Sequence, residues 1–295
     1  MAGIPEKDAI SGQSTTGHEW DGIKELNTPL PRWWVYVFYI CILWAIAYWV
    51  AMPAFPLGNG FTPGMLGYNS RLGLEKDVEV AKASHATQLQ AIAAKSVEEI
   101  AADSSLRQYA MAGGALLFKE NCAPCHQSGG AGAVGFPTLA DDEWLWGGSL
   151  SDIQTTLLHG IRSEKSADTR VSEMPAFGDM LKPEEVTQVA EYVKAMSQGK
   201  ASDMPGKQLY LDNCAACHSS DGANPVSDGN PMMGAPALGN NVWLYAGPGG
   251  DMTVDMIAAQ VNKPKHGVMP AWAGRLKDED IKMVTIFVHS LGGGQ

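Results

Sequence analysis

Residues 122–126 read Cys-Ala-Pro-Cys-His, and residues 214–218 read Cys-Ala-Ala-Cys-His. The Cys-x-x-Cys-His pattern is the attachment signature of c-type haem. Two thiols three positions apart fit about one helical turn, so both can form thioether bonds to the vinyl groups of one haem. The histidine that follows can then bind the iron from the proximal side. The predicted residues are Cys122, Cys125 and His126 for one haem, and Cys214, Cys217 and His218 for the other.

Other uses of paired cysteines fit this sequence less well. An even set of cysteines in an exported domain can indicate disulfides, but here a histidine follows each pair at once. A zinc site uses Cys-x-x-Cys pairs about 15 to 20 residues apart, whereas Cys122 and Cys214 are 92 positions apart. A thioredoxin-like dithiol needs a βαβ pattern around its motif, which the sequence does not indicate.

The surroundings of the two motifs match, which indicates two copies of one unit. Each motif is preceded by Gly and an aromatic at fixed offsets, and is followed by Gly-x-Pro-x-Leu, Trp-Leu-aromatic and Met-Pro-Ala-aromatic. Each copy ends in an apolar-periodic helix with acidic residues in its first turn, as suits a helix N-terminus. The matched positions include Gly114 and Gly206, Phe118 and Tyr210, Pro137 and Pro236, Trp144 and Trp243, and Met174 and Met269.

This repeated unit resembles the class I cytochrome c domain. In that family an N-terminal helix carrying Gly and an aromatic crosses a C-terminal helix carrying another aromatic. The resemblance implies a mainly α fold with two tandem class I domains, at residues 107–199 and 200–295. It also implies a crossing within each copy: Gly114 and Phe118 against Tyr192, and Gly206 and Tyr210 against Phe287.

The same resemblance implies a sixth iron ligand in each Met-Pro turn. Met174 and Met269 lie 48 and 51 residues after His126 and His218, so we expect Met174 to serve the first haem and Met269 the second. A histidine–methionine pair raises the reduction potential relative to two histidines. His159 and His266 are the rival candidates for a sixth ligand. The carbonyls of Pro137 and Pro236 are expected to accept hydrogen bonds from the proximal imidazoles. Met232 and Met233 are expected to be packing residues.

Residues 33–50, WWVYVFYICILWAIAYWV, contain no charged residue. Eighteen residues at about 1.5 Å each span roughly 27 Å, close to the ~30 Å hydrocarbon core of a bilayer. Aromatic residues lie at both ends, as at membrane interfaces. We therefore predict an uncleaved transmembrane anchor over 33–52. A buried core helix or a cleaved signal peptide is the alternative, although the apolar region of a signal peptide is shorter. The lone Cys41 within it is most simply a packing residue.

The distribution of basic residues predicts the orientation of this anchor. Lys24 and Arg32 flank its N-terminal end, and no Lys or Arg follows it before Arg71. This bias places the arm 1–32 in the cytoplasm and the rest of the chain in the periplasm, beyond a bacterial inner membrane. Residues 53–106 are predicted to be a partly helical linker with apolar spacing at Leu89, Ile92, Val97 and Ile100; a flexible linker is the alternative.

The N-terminal region carries a more specific resemblance. Residues 20–27 read WDGIKELN, residues 29–34 read PLPRWW, and residues 67–71 read GYNSR. With the anchor and the tandem haem motifs, they resemble the CcoP/FixP dihaem subunit of cbb3-type cytochrome c oxidases over essentially the whole chain. The resemblance implies two haem c groups and a relay from c-type cytochrome donors, through a monohaem subunit, to a haem b/copper subunit that reduces oxygen and pumps protons.

Two other function classes remain open on the sequence alone. A stand-alone anchored dihaem cytochrome, or a cytochrome subunit of another respiratory complex, shares every haem motif and differs only in the N-terminal match. A dihaem peroxidase-like enzyme needs a haem with a displaceable ligand, which two Met-Pro turns argue against. The formal charge of -11 argues against nucleic acid as a partner, because nucleic acids are bound through basic patches.

Overall fold

The structure is a computed structural model that describes residues 6–223, 234–247 and 250–292. Its contacts divide the chain into two units, residues 1–83 and 84–295, with the boundary inside a long helix. Helices dominate the described residues, which confirms the mainly α fold class. Met232 and Met233, assigned above to packing, lie outside the described residues.

A small hairpin opens the first unit. Strands β1 (Thr15–Trp20) and β2 (Ile23–Leu26) pair antiparallel, with Trp20 opposite Ile23. The connecting residues Asp21 and Gly22 both have positive φ, 49° and 85°. Positive φ at both central positions characterises the type I′ turn, for which Asp-Gly is a preferred pair. The Asp-Gly signal was present in the sequence, but we did not predict these strands.

The apolar segment forms helix α1 (Arg32–Ala51), one residue offset from the predicted span. Pro31 precedes it, and all its residues are exposed or half-buried. A helix that is apolar on every side and not covered by protein suits a lipid environment. It is long and apolar enough to cross a membrane. A short β-ribbon of β3 (Pro56–Leu57) and β4 (Gly60–Phe61) follows.

The second unit is a set of helices joined by long loops. Side chains of Ser96, Asp103, Ser149 and Thr253 accept backbone N–H bonds at four helix starts, which is the usual way to satisfy these groups. Among the described residues, the α-helices that follow α1 are α2 (Ser70–Ala94), α3 (Val97–Ala102), α4 (Ser104–Asn121), α5 (Ala123–His126), α6 (Leu150–His159), α7 (Pro183–Ser197), α8 (Gly206–Asn213), α9 (Ala215–His218), α10 (Val254–Asn262) and α11 (Asp278–His289).

The predicted linker is helical and packed in its C-terminal part. Ile92, Val97 and Ile100 are buried and form a cluster with Met283 and Ile286 of α11. The flexible-linker alternative is therefore wrong for this stretch. Val97 and Ile100 are three positions apart on one short helix, so they lie on the same face of it and reach the last helix together.

A buried lysine fixes the end of α2 to the same helix. Lys282 on α11 donates from Nζ to the carbonyl oxygens of Ala93 at 2.9 Å and Lys95 at 3.0 Å. It also pairs with Asp278 at 2.9 Å. A cation at a helix C-terminus satisfies carbonyls that have no partner within the helix. The charge of this buried side chain is therefore compensated on both sides.

The crossing of the terminal helices differs from the expectation. α4 packs on α11, and α8 packs on α7. Phe118 contacts Phe287, with ring centroids 5.3 Å apart, and Tyr210 contacts Tyr192 at 5.4 Å. The prediction that each crossing forms within one copy, Phe118 with Tyr192 and Tyr210 with Phe287, is wrong. Each N-terminal helix instead meets the C-terminal helix of the other copy.

Chain connectivity gives the physical reason. Residues 198–205 form a short connection between α7 and α8, and consecutive helices joined by a short connection usually pack against each other. Because both copies present the same Gly-aromatic surface, α7 and α11 can each pack on either N-terminal helix. One packing unit is therefore formed by the described residues between about 172 and 262, and the other combines residues 104–160 with residues 267–291.

We predict that Gly114→Ala weakens the crossing of α4 and α11. A Cβ at Gly114 would meet the carbonyl oxygen of Met283 and would lie 2.8 Å from Cβ of Phe287. Backbone cannot move aside easily, so the free energy of unfolding should fall by about 1–3 kcal/mol.

Gly113→Ala is the matched control for this substitution. A Cβ at Gly113 would meet only the flexible end of the Met283 side chain, at 2.7 Å from its sulfur. This variant should be close to neutral in denaturant unfolding of the haem-loaded protein. Equal loss of stability in both variants would contradict the role given to Gly114.

Candidate haem-binding sites

Each Cys-x-x-Cys-His motif forms one tight turn at the end of a helix. The N–H groups of Cys125 and His126 donate to the carbonyl of Cys122 at 3.1 and 2.9 Å. The second motif repeats these bonds between residues 217–218 and 214 at 3.1 and 3.0 Å. The chain leaves both turns through a residue with positive φ, Gln127 at 62° and Ser219 at 60°. The two motifs are therefore the same local structure.

Both proximal imidazoles are oriented by a proline carbonyl. Nδ1 of His126 lies 2.9 Å from the carbonyl oxygen of Pro137, and Nδ1 of His218 lies 2.9 Å from that of Pro236. A carbonyl can only accept, so Nδ1 carries the proton and Nε2 keeps its lone pair for a metal. This confirms the predicted partners of the two imidazoles. Burial lowers the pKa of both histidines, which favours the neutral ligand form.

The first cysteine of each motif is buried. Burial raises the pKa of the Cys122 and Cys214 thiols to about 11 in both cases, with the neighbouring motif cysteine adding to the shift. Zinc binding and dithiol exchange both use the thiolate. An apolar site that disfavours the thiolate suits an uncharged thioether better. The chemistry of these sites thus supports haem attachment over the two alternatives.

The methionines lie in opposite sites to those expected. Met269 packs against the cluster that contains Cys122 and Phe118, and Met174 packs against the cluster that contains Cys214 and Tyr210. The expectation that Met174 lies with the first motif and Met269 with the second is therefore wrong. The reason is the packing of each C-terminal helix on the N-terminal helix of the other copy, which we call the helix exchange. Each Met-Pro turn precedes one of these C-terminal helices, so it lies with the motif of the other copy.

The Met269 turn is attached to the end of α6 by a backbone ladder. Ile161 and Met269 exchange N–H···O bonds of 3.0 Å in both directions, and the N–H of Trp272 donates to the carbonyl of Leu157 at 2.9 Å. At the equivalent place in the other site, the turn Phe177–Asp179 packs on α10. A helix of one copy thus supports the methionine turn of the other in both sites.

The two rival histidines have other partners. Nδ1 of His159 lies 3.1 Å from the hydroxyl of Ser166. Nε2 of His266 accepts the backbone N–H of Met174 at 3.1 Å. His266 therefore lies beside Met174, and the lone pair that could bind iron is already used. Sequence comparison of the copies could not have indicated this neighbour, because it depends on the exchange.

One continuous cavity of about 1280 Å³ joins the two motifs. Pockets for a single ligand are commonly about 300–1,000 Å³, so this space is large enough for more than one group. Four tryptophans form part of its apolar wall, Trp144, Trp146, Trp243 and Trp272. The cavity is also lined by Cys122, His126, Met174, Cys214, His218 and Met269. The residues present therefore fit two c-type haems close together.

Hydrogen bonds tie the loops of the two sites to each other. The N–H of Gly135 donates to the carbonyl of Leu244 at 2.7 Å, and Nδ2 of Asn240 donates to Oε1 of Glu143 at 2.6 Å. These four residues line the same cavity or lie next to its lining. Sequence reasoning did not identify these bonds, because they join loops that have no periodic pattern.

The chain matches known families along almost its whole length. A family model described as the N-terminal domain of cytochrome oxidase-cbb3, FixP, matches residues 12–59, and the cytochrome c model matches 111–197 and 204–292. The FixPc subunit of a cbb3-type cytochrome c oxidase from Rhizobium leguminosarum bv. viciae is 53% identical over 290 residues, 97% of this chain and 98% of that protein. The CcoP subunit from Azospirillum sp. (strain B510) is 50% identical over 298 residues, 98% of each chain. This chain belongs to the FixP/CcoP subunit family of cbb3-type cytochrome c oxidases.

Membership of the FixP/CcoP family confirms several predictions from sequence. The chain is a mainly helical oxidase subunit with an N-terminal apolar helix that fits a single-pass anchor, and it has two tandem cytochrome c domains. Two such domains in this family carry two covalently bound haem c groups. The limits 107–199 and 200–295, and the assignment of individual ligands, stay predictions.

We predict that Tyr210→Phe destabilises the second motif. The buried hydroxyl of Tyr210 donates to the carbonyl oxygens of Ser219 at 2.8 Å and His218 at 3.2 Å. Removing it leaves buried carbonyls with fewer donors, which should lower the free energy of unfolding by about 1–3 kcal/mol. Phe118 occupies the equivalent position in the other copy, so Phe118→Leu, which removes no hydroxyl, tests ring packing alone. An unchanged midpoint in denaturant for Tyr210→Phe would contradict this role.

Proposed function

We propose that this FixP/CcoP subunit relays electrons from a c-type cytochrome, through the monohaem subunit, to the haem b/copper subunit that reduces oxygen and pumps protons. The observation that supports the relay is the single cavity lined by both Cys-x-x-Cys-His motifs. Electrons pass quickly between two haems only when their edges are close. Two haems sharing one cavity would meet that condition without any movement of the chain.

The proposed iron ligands are His126 with Met269, and His218 with Met174. Packing supports this pairing, since each methionine lies in the cluster of the motif with which it is paired. When bound, haem supplies one-electron chemistry by alternation of its iron between the ferric and ferrous states. The chain contributes an imidazole fixed in one tautomer and a thioether that favours the ferrous state.

A non-catalytic role for this subunit follows from the proposed ligand sets. Histidine on one side and methionine on the other leave no position at which oxygen or peroxide could bind. The ligand turns are held by backbone bonds such as that between Ile161 and Met269, which disfavours exchange of the methionine. Oxygen chemistry is therefore assigned to the catalytic subunit, and the peroxidase-like alternative is disfavoured.

We propose that the N-terminal arm is cytoplasmic and that the haem domains lie in the periplasm of a bacterial cell. The support is the charge bias around α1, with Lys24 and Arg32 on one side and Arg71 as the next basic residue on the other. Covalent haem attachment outside the cytoplasm agrees with this orientation. The inner membrane is then the site of assembly with the other oxidase subunits.

The ligand pairing is tested in a variant that retains one haem. Cys214→Ala with Cys217→Ala leaves the haem attached at Cys122 and Cys125. In this background Met269→Leu should lower the reduction potential of the remaining haem, because the thioether ligand is lost. The ferric haem should become high-spin, and the reduced haem should bind carbon monoxide. Met174→Leu is the matched control: it should leave the low-spin histidine–methionine spectrum in place and change the potential far less than Met269→Leu does. If Met174→Leu instead produced the high-spin haem and Met269→Leu did not, the ligands would be paired within each copy and our assignment would be wrong.

The relay is tested in the assembled oxidase. Removing the haem at either motif by paired Cys→Ala substitution should abolish oxygen consumption driven by reduced cytochrome c. A small reductant that reduces the catalytic subunit directly should still support oxygen consumption by the same complexes. If cytochrome c oxidation continues at the normal rate without these haems, the subunit is not on the electron path.

A further inference from the structure

Arg162 occupies the turn that follows α6, between the two methionine turns. Its backbone has a φ of 51°, in the left-handed region that residues other than glycine adopt rarely. Its N–H donates to the carbonyl of Arg170 at 2.8 Å, and its half-buried side chain lines the haem cavity. An unusual backbone conformation held by surrounding bonds is a reason to ask what the side chain does.

The guanidinium of Arg162 donates to both methionine turns at once. Nε donates to the carbonyl oxygen of Gly267 at 2.7 Å, and Nη1 donates to that of Ser172, also at 2.7 Å. Gly267 lies two residues before Met269, and Ser172 lies two residues before Met174. One planar side chain therefore connects the segments that carry both proposed sixth ligands.

Neighbouring bonds make this connection stiffer. The imidazole of His266, next to Gly267, accepts the N–H of Met174 at 3.1 Å. Ile161, next to Arg162, is joined to Met269 by the backbone ladder. The segment 161–162 and the segment 266–267 thus each contact structure from both haem sites. A displacement of one methionine turn would have to break bonds that also hold the other.

We propose that Arg162 is a positioning residue shared by the two haems, which holds both sixth-ligand turns and couples their ligation. This inference rests on the proposed ligands Met174 and Met269. Arginine suits the task because its fork of donors is rigid and planar, whereas lysine offers a single mobile ammonium group. A lysine at this position would keep the positive charge, but it would not keep two donors in fixed directions.

The test is Arg162→Lys in the full dihaem protein, followed by redox titration and ferric spectra of both haems. Thioether attachment keeps the haems on the chain even where the turns loosen, so the readout survives partial loss of order. We expect both haems to show a lower potential and a weaker far-red absorption band of methionine-ligated ferric haem. Change in only one haem, or in neither, would overturn the proposal.

Arg170→Lys is the matched control. Like Arg162, Arg170 donates to a backbone carbonyl, that of Trp146, but it donates to neither methionine turn. Its side chain is buried and also pairs with Asp152 at 3.3 Å. Its substitution should leave both potentials close to the parent values. An equal effect of the two substitutions would show a general loss of packing and would overturn the specific role of Arg162.

A second measurement tests the coupling itself. Met269→Leu should shift the potential of the haem at Cys214 and Cys217 when Arg162 is present, and shift it less in the Arg162→Lys background. Additive effects of the two substitutions would refute coupling through this side chain. If Met174→Leu and Met269→Leu change neither haem, the ligand assignment fails instead, so the two failures are distinguishable.

Discussion

The close crossing of α4 with α11, and of α8 with α7, is the constraint on which both haem sites depend. At Gly114 and Gly206 the neighbouring helix backbone lies where a Cβ would otherwise be, so the helices approach more closely than larger residues permit. That approach brings α11 and α7 over the two motifs, and with them the turns that carry Met269 and Met174. The absence of a side chain at these two glycines therefore allows each methionine turn to reach its motif.

The side chains proposed to hold the haems are electrically neutral in both sites. The thiols of Cys122 and Cys214 are buried, which raises their pKa to about 11. Burial also lowers the pKa of the proximal imidazoles, although the proline carbonyl that accepts from each Nδ1–H opposes this shift. A buried charge without a partner would cost several kcal/mol. Where a charge is buried, it is compensated, as for Lys282 with three backbone carbonyls and Asp278. With neutral groups in the proposed ligand positions, the charge change of the iron would be the main electrostatic event during electron transfer.

The sequence could identify local features but not the exchange of helices. Cys122 to His126, the Pro137 acceptor and the apolar helix α1 are readable because each depends on residues near in sequence or on a matched repeat. The packing of Phe118 on Phe287 is not readable in this way, because Tyr192 offers the same type of surface and the repeats are nearly equivalent. The bonds of Arg162 and His266 follow from that choice, so they too could be found only in three dimensions.

The nested arrangement makes the two haem sites one cooperative structure. The first site takes its motif from residues 122–126 and its methionine turn from residues 267–270, while the second site lies almost entirely between these segments in sequence. The first site can therefore be completed only after the residues of the second have been synthesised and α11 has packed on α4. Two independent domains joined by a linker would move relative to each other by default. Here the shared cavity and the crossed turns fix their separation, which is the property that transfer between two haems requires.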